Sequence, residues 1–165
     1  MALELFELFH GAVFTVLMRN ERPLSLRMFE KNAADGWAAY RVNDEFGLYI
    51  KYRTKPHAGK RLTSWNFAFG EGELEHLRGM REKMNLYLAL VCGRRRLEPS
   101  KRNMHICLLD EQDMNRCIDM SSIEPQWIRV LHAPGKFLRA YGSTNKTDPL
   151  RIPHNRIETW EVPGS

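Results

Sequence analysis

Apolar and polar positions alternate in two distinct rhythms along this chain. Residues 2–19 carry Leu5, Phe6, Phe9, Val13, Val16 and Leu17 at helical spacing, with Glu4, Glu7 and Gly11 as a narrow polar stripe. Apolar character around most of the circumference predicts a helix covered on several sides. After Pro23 the rhythm changes to period two. LSLRMFE, WAAYRV and FGLYIKYR read as short strands separated by the turns KNAADG and NDEFG. A second helix is expected over GELEHLRGMREKM, where Leu74, Leu77 and Met80 share a face.

The run LYLALVC (86–92) is continuously apolar, which predicts a strand buried on both faces and the centre of a sheet. NMHICLLD reads as its neighbour, DEQDMNRCIDM as a short helix with an acidic first turn, and WIRVL with KFLRAYG as a hairpin turning at HAPG. From about residue 143 the chain reads as an irregular tail. The expected architecture is one globular domain over 1–165 of the α+β class. It has a central mixed β-sheet with an antiparallel meander, an αβββαβ-like core covered by the first two helices, then C-terminal strands and a short helix.

Residues 46–69 carry the densest signal. Leu48, Ile50 and Tyr52 alternate with Tyr49, Lys51 and Arg53, and Trp65, Phe67 and Phe69 alternate with Asn66 and Ala68. Read as a long hairpin, the aliphatic and aromatic sets share one buried face, and Tyr49, Lys51, Arg53 and Asn66 lie opposite.

Charge sharpens this picture. The net charge is +5, yet residues 1–50 hold 5 basic against 7 acidic side chains, residues 51–102 hold 13 against 5, and residues 103–165 hold 7 against 8. The whole excess sits in the middle third. Lys51, Arg53, Lys55, Lys60 and Arg61 in the first basic stretch, and Arg94, Arg95 and Arg96 in the second, form one phosphate-binding patch if their loops leave the same end of the sheet. Nucleic acid is the expected partner and an acidic protein the alternative. No helix-turn-helix, zinc-finger or RNP signature accompanies them, so base specificity is not expected.

Other chemistry is sparse. Cys92, Cys107 and Cys117 are an odd number without C-x-x-C spacing, which suits reduced thiols and a cytoplasmic protein. The amino-terminal segment is too polar at its start for a membrane span. His105 and Cys107 share a strand face, with Cys92 nearby, but buried strand cysteines are usually inert and no metal site is expected. G-x-S-x-G, P-loop, G-x-G-x-x-G and H-E-x-x-H motifs are all missing.

Two resemblances add to this reading. The order helix, meander, helix, strand over residues 2–92 resembles the restriction-endonuclease-like PD-(D/E)xK superfamily. That resemblance implies carboxylates on adjacent strands holding Mg²⁺, with a Lys two positions after the second acid. Asp35 and Lys51 are the matching catalytic candidates, while Tyr49 stands at the second carboxylate position. It therefore implies a nuclease-like core that binds without cutting, needing no cofactor. Mg²⁺ enters only in the alternative of an active nuclease. Separately, LYIKYRTKP, WNFAF, LALVCG, ICLLD and APGKFLRAYGS are similar to a family of small uncharacterised bacterial proteins, which implies no activity.

Overall fold

The structure, a computed structural model, describes residues 4–19, 23–96, 98 and 104–160. In chain order the elements are α1 (Leu5–Met18), β1 (Leu26–Asn32), β2 (Trp37–Val42), β3 (Phe46–Arg53), β4 (His57–Ala58), β5 (Thr63–Phe69), α2 (Glu71–Lys83), β6 (Asn85–Cys92), β7 (His105–Leu109), α3 (Glu111–Cys117), β8 (Gln126–His132), β9 (Leu138–Gly142) and β10 (Leu150–Ile152). The class is α+β, as the pattern predicts. One mixed sheet runs β1-β2-β3-β6-β7 and a second, antiparallel sheet runs β10-β9-β8-β5-β4. The carboxy-terminal segment is more ordered than expected, since β10 pairs with β9 from Leu150↔Ala140 to Ile152↔Leu138.

The meander β1-β2-β3 forms because its turns carry residues suited to left-handed backbone. Asn43 and Asp44 have φ of 53° and 56°, and the Glu45 amide donates to the Val42 carbonyl at 3.1 Å. Two successive positive φ values define the hairpin turn whose twist matches that of the strands it joins. After β5, α2 carries the chain back so that β6 lies parallel to β3, in register from Phe46↔Asn85 to Arg53↔Cys92. Parallel neighbours need such a crossover.

The mixed sheet is covered on both sides. Phe9, Val13 and Leu17 of α1 pack on Leu48, Ile50, Ala89 and Val91 from one face. From the other face Tyr49, Leu88, Leu90 and Cys107 pack against Trp65, Phe67, Phe69, Ile128 and Val130 of the second sheet, with Leu74 and Leu77 of α2 between. The β6 side chains thus divide alternately between two cores, as expected for a strand buried on both faces.

The hairpin expected across 46–69 is absent. β3 and β5 belong to different sheets, and β5 pairs with β4 and β8. Leu48 and Ile50 face α1, whereas Tyr49 and Lys51 turn toward the side lined by Trp65, Phe67 and Phe69. The faces are exchanged because β3 is an inner strand with both sides covered, and period two alone does not say which layer meets which side.

Candidate functional site at the basic end

Lys51 illustrates the exchange. Its side chain is 1% exposed, and its Nζ donates to Glu73 Oε1 at 2.6 Å, to Glu73 Oε2 at 2.8 Å and to the Ala68 carbonyl. The ammonium also lies 4.7 Å from the Phe69 ring centroid, and the Tyr49 hydroxyl donates to Glu73 Oε2 at 2.8 Å. Burial lowers the Lys51 pKa, and the Glu73 carboxylate opposes that shift. The expected solvent-facing position of Lys51 is therefore corrected: it pins the first turn of α2 to β3 inside the protein.

Asp35 does not join it. Its carboxylate is exposed and accepts from Asn32 Nδ2 at 3.1 Å, while its carbonyl accepts from the Arg53 guanidinium at 2.8 Å. A metal-assisted phosphoryl step at Asp35 and Lys51 would require the Lys51–Glu73 pair to part.

The other cations follow strands that end level with each other. Because β3 and β6 are parallel and end level at Arg53↔Cys92, the loops that follow them leave the same end of the mixed sheet. The Gly93 amide donates to the Arg53 carbonyl at 2.8 Å, which ties the two exits together. Lys55, Lys60, Arg61, Arg95 and Arg96 are exposed, while Arg53 and Arg94 are half-buried. Lys101 and Arg102, the further cations of the stretch after β6, lie outside the described residues.

The same end holds three histidines that the sequence does not group. His105 opens β7 opposite Cys92, His132 closes β8 opposite Thr63, and His154 follows β10. Trp65 Nε1 donates to the Gly93 carbonyl at 2.9 Å, joining the second sheet to the mixed sheet here. The ring centroids of His105 and His132 are 4.1 Å apart, and His154 lies 5.3 Å from His132 and 5.7 Å from His105. Arg94, Lys136 and Arg151 line the same cleft, of about 640 Å³. The spacings of 27 and 22 residues give no sequence signal, because the three positions come from separate strand pairings.

The cysteines form no such group. Cys92, Cys107 and Cys117 are fully buried, and burial pushes all three thiols upward. Among the described residues, His105 converges with His132 and His154 and not with the thiols. Among those residues too, no helix is long and apolar enough to cross a membrane.

No family model, no curated protein and no solved structure matches this chain. What the site can do follows from its own geometry.

Proposed function

We propose that the protein binds the phosphates of a nucleic acid through the loops at the basic end, without base specificity. The observation that supports it is the level ending of β3 and β6: Arg53 closes β3 with Lys55, Lys60 and Arg61 after it, and Arg94, Arg95 and Arg96 follow β6 from the same end of the mixed sheet. Lys51 leaves the phosphate-contacting set because its ammonium is committed to Glu73. Loops suit this task, since long cationic side chains can follow an irregular backbone and each neutralised phosphate releases counterions. Nearby cations also strengthen one another's attraction for a polyanion, which favours a clustered over a dispersed arrangement.

The test is fluorescence anisotropy with a labelled single-stranded oligonucleotide across roughly 50–200 mM salt, the range in which phosphate binding weakens. The logarithm of the affinity should fall linearly with the logarithm of salt. Lys60→Ala with Arg61→Ala, and Arg95→Ala with Arg96→Ala, should each flatten that slope by about 0.7 for every phosphate left unneutralised. Affinity indifferent to salt and to all four substitutions rejects the reading. A protein partner that co-purifies through nuclease treatment and is released by the same substitutions would assign the patch to an acidic protein instead.

A further inference from the structure

We infer that His105, His132 and His154 form a binding site for one divalent zinc-class metal ion, with a remaining coordination position that accepts a phosphate-class oxyanion. The inference is independent of the nucleic-acid reading, because it concerns a metal ion and a small anion.

Three observations carry it. The first is convergence: each histidine offers a ring nitrogen, and these three atoms lie within 4.8 Å of one another. For such a triangle a point exists no more than about 2.8 Å from every corner (4.8 Å divided by √3). Zinc–imidazole bonds are about 2.0–2.1 Å, so small side-chain rotations bring all three nitrogens into range.

The second is support. The rings come from the start of β7, the end of β8 and the turn after β10, so both sheets hold the triangle in place. The Trp65 ring packs edge-on to His105 at 5.9 Å. His154 Nε2 bonds to the Lys136 carbonyl, and since a carbonyl only accepts, the proton sits on Nε2. That leaves the lone pair of His154 on Nδ1. A backbone carbonyl fixing the tautomer of a ligating imidazole is a recurrent support of metal sites.

The third is the surrounding charge. Three neutral imidazoles leave a divalent ion with its full positive charge and an open position, the ligand set of hydrolytic and hydrating zinc centres. The cleft is lined by Arg94, Arg151 and Lys136, three cationic residues. They favour an oxyanion over a neutral ligand there, and guanidinium groups match phosphate oxygens in geometry.

The experiment uses the full chain, stripped with chelator and dialysed. Zn²⁺ is titrated against a chromophoric competitor, and Co²⁺ serves as a spectroscopic substitute. One Zn²⁺ should bind per chain and raise the melting temperature in a concentration-dependent way. His132→Ala and His154→Ala should each weaken binding by at least about tenfold, while His57→Ala, an exposed control on β4, should not. The Co²⁺ form should show visible d–d bands without a near-ultraviolet thiolate band, and inorganic phosphate should shift those bands. Wild-type protein that binds no Zn²⁺ and gains no thermal stability overturns the site, whatever the variants do. A sulfur-to-cobalt band overturns the ligand assignment. Bands unmoved by phosphate overturn the oxyanion position.

Discussion

The Lys51 ammonium and the Glu73 carboxylate meet at 2.6 Å, with the lysine side chain 1% and the glutamate side chain 10% exposed. Breaking such a pair from one side leaves a buried charge without its counterion, which costs about 3–5 kcal/mol. Replacing both members with apolar residues of similar volume removes that penalty. Lys51→Met alone and Glu73→Leu alone should therefore each be strongly destabilising in urea unfolding, and the double substitution should recover most of the stability. Glu73→Leu also strips the Tyr49 hydroxyl of its acceptor, so its single-variant effect should be the larger. Additive effects in the double variant would show that the pair does not act as a unit.

That pair also marks the boundary of what the sequence discloses. The periodicities of α1, α2, β2, β6 and the β8–β9 hairpin could be read directly, because each is a local pattern with its own turn or cap. Asp110 caps the short helix α3 in the same local way, by accepting from the Asp113 amide at 2.9 Å. Which layer each face of β3 meets depends on β5 leaving for another sheet, a long-range event with no local signature. For the same reason Lys51 reads as a surface cation while Glu73 reads only as a first-turn acid suited to the helix dipole. The histidine triangle is hidden more deeply, since it exists only after three separate pairings are in register.

His10 should make the protein sensitive to acid. It is buried on α1, with Nδ1 3.1 Å from the Tyr40 hydroxyl and its ring edge-on to Phe6 and Tyr40. Burial lowers its pKa from 6.5 to about 4. Between those values the unfolded chain holds a proton there that the folded chain does not, so stability falls as pH drops. The contribution is complete above about pH 6.5 and disappears progressively down to about pH 4, amounting to roughly 3 kcal/mol at 1.36 kcal/mol per unit. Urea midpoints measured across that window should decline, and His10→Leu should flatten the decline. An unchanged slope in the variant would assign acid sensitivity to other groups.

The three thiols should be silent in the folded state. Cys92, Cys107 and Cys117 have no solvent-exposed surface, and burial holds the Cys117 thiol up at about 12. Thiolate is the reactive form, and both access and ionisation are denied to it here. Ellman's reagent should react with none of them in native protein at neutral pH and with all three in denaturant. Rapid native labelling of Cys92 would show that the basic end opens, since Cys92 closes β6 beside His105.

Arg156 clamps the segment that carries His154. Its guanidinium donates to Asp113 at 2.6 Å, to Asp110 at 3.0 Å and to the Leu108 carbonyl at 3.2 Å, while neighbouring Ile157 is buried against the α1 side of the mixed sheet. These bonds reach the amino-terminal turn of α3 and the end of β7 with one planar fork, a geometry that an ammonium does not reproduce. Hydrogen bonds to charged groups contribute about 1.5–3 kcal/mol, and partial exposure of the guanidinium puts this one toward the lower end. Arg156→Ala should therefore destabilise the protein by about 1–2 kcal/mol and speed amide exchange at residues 154–157 more than elsewhere. Arg156→Lys should recover part of the stability and little of the local protection. Because the same segment positions His154, Arg156→Ala should also weaken Zn²⁺ binding with all three histidines intact. Exchange at 154–157 that is no faster in the alanine variant would show that the tail is held by Ile157 packing alone.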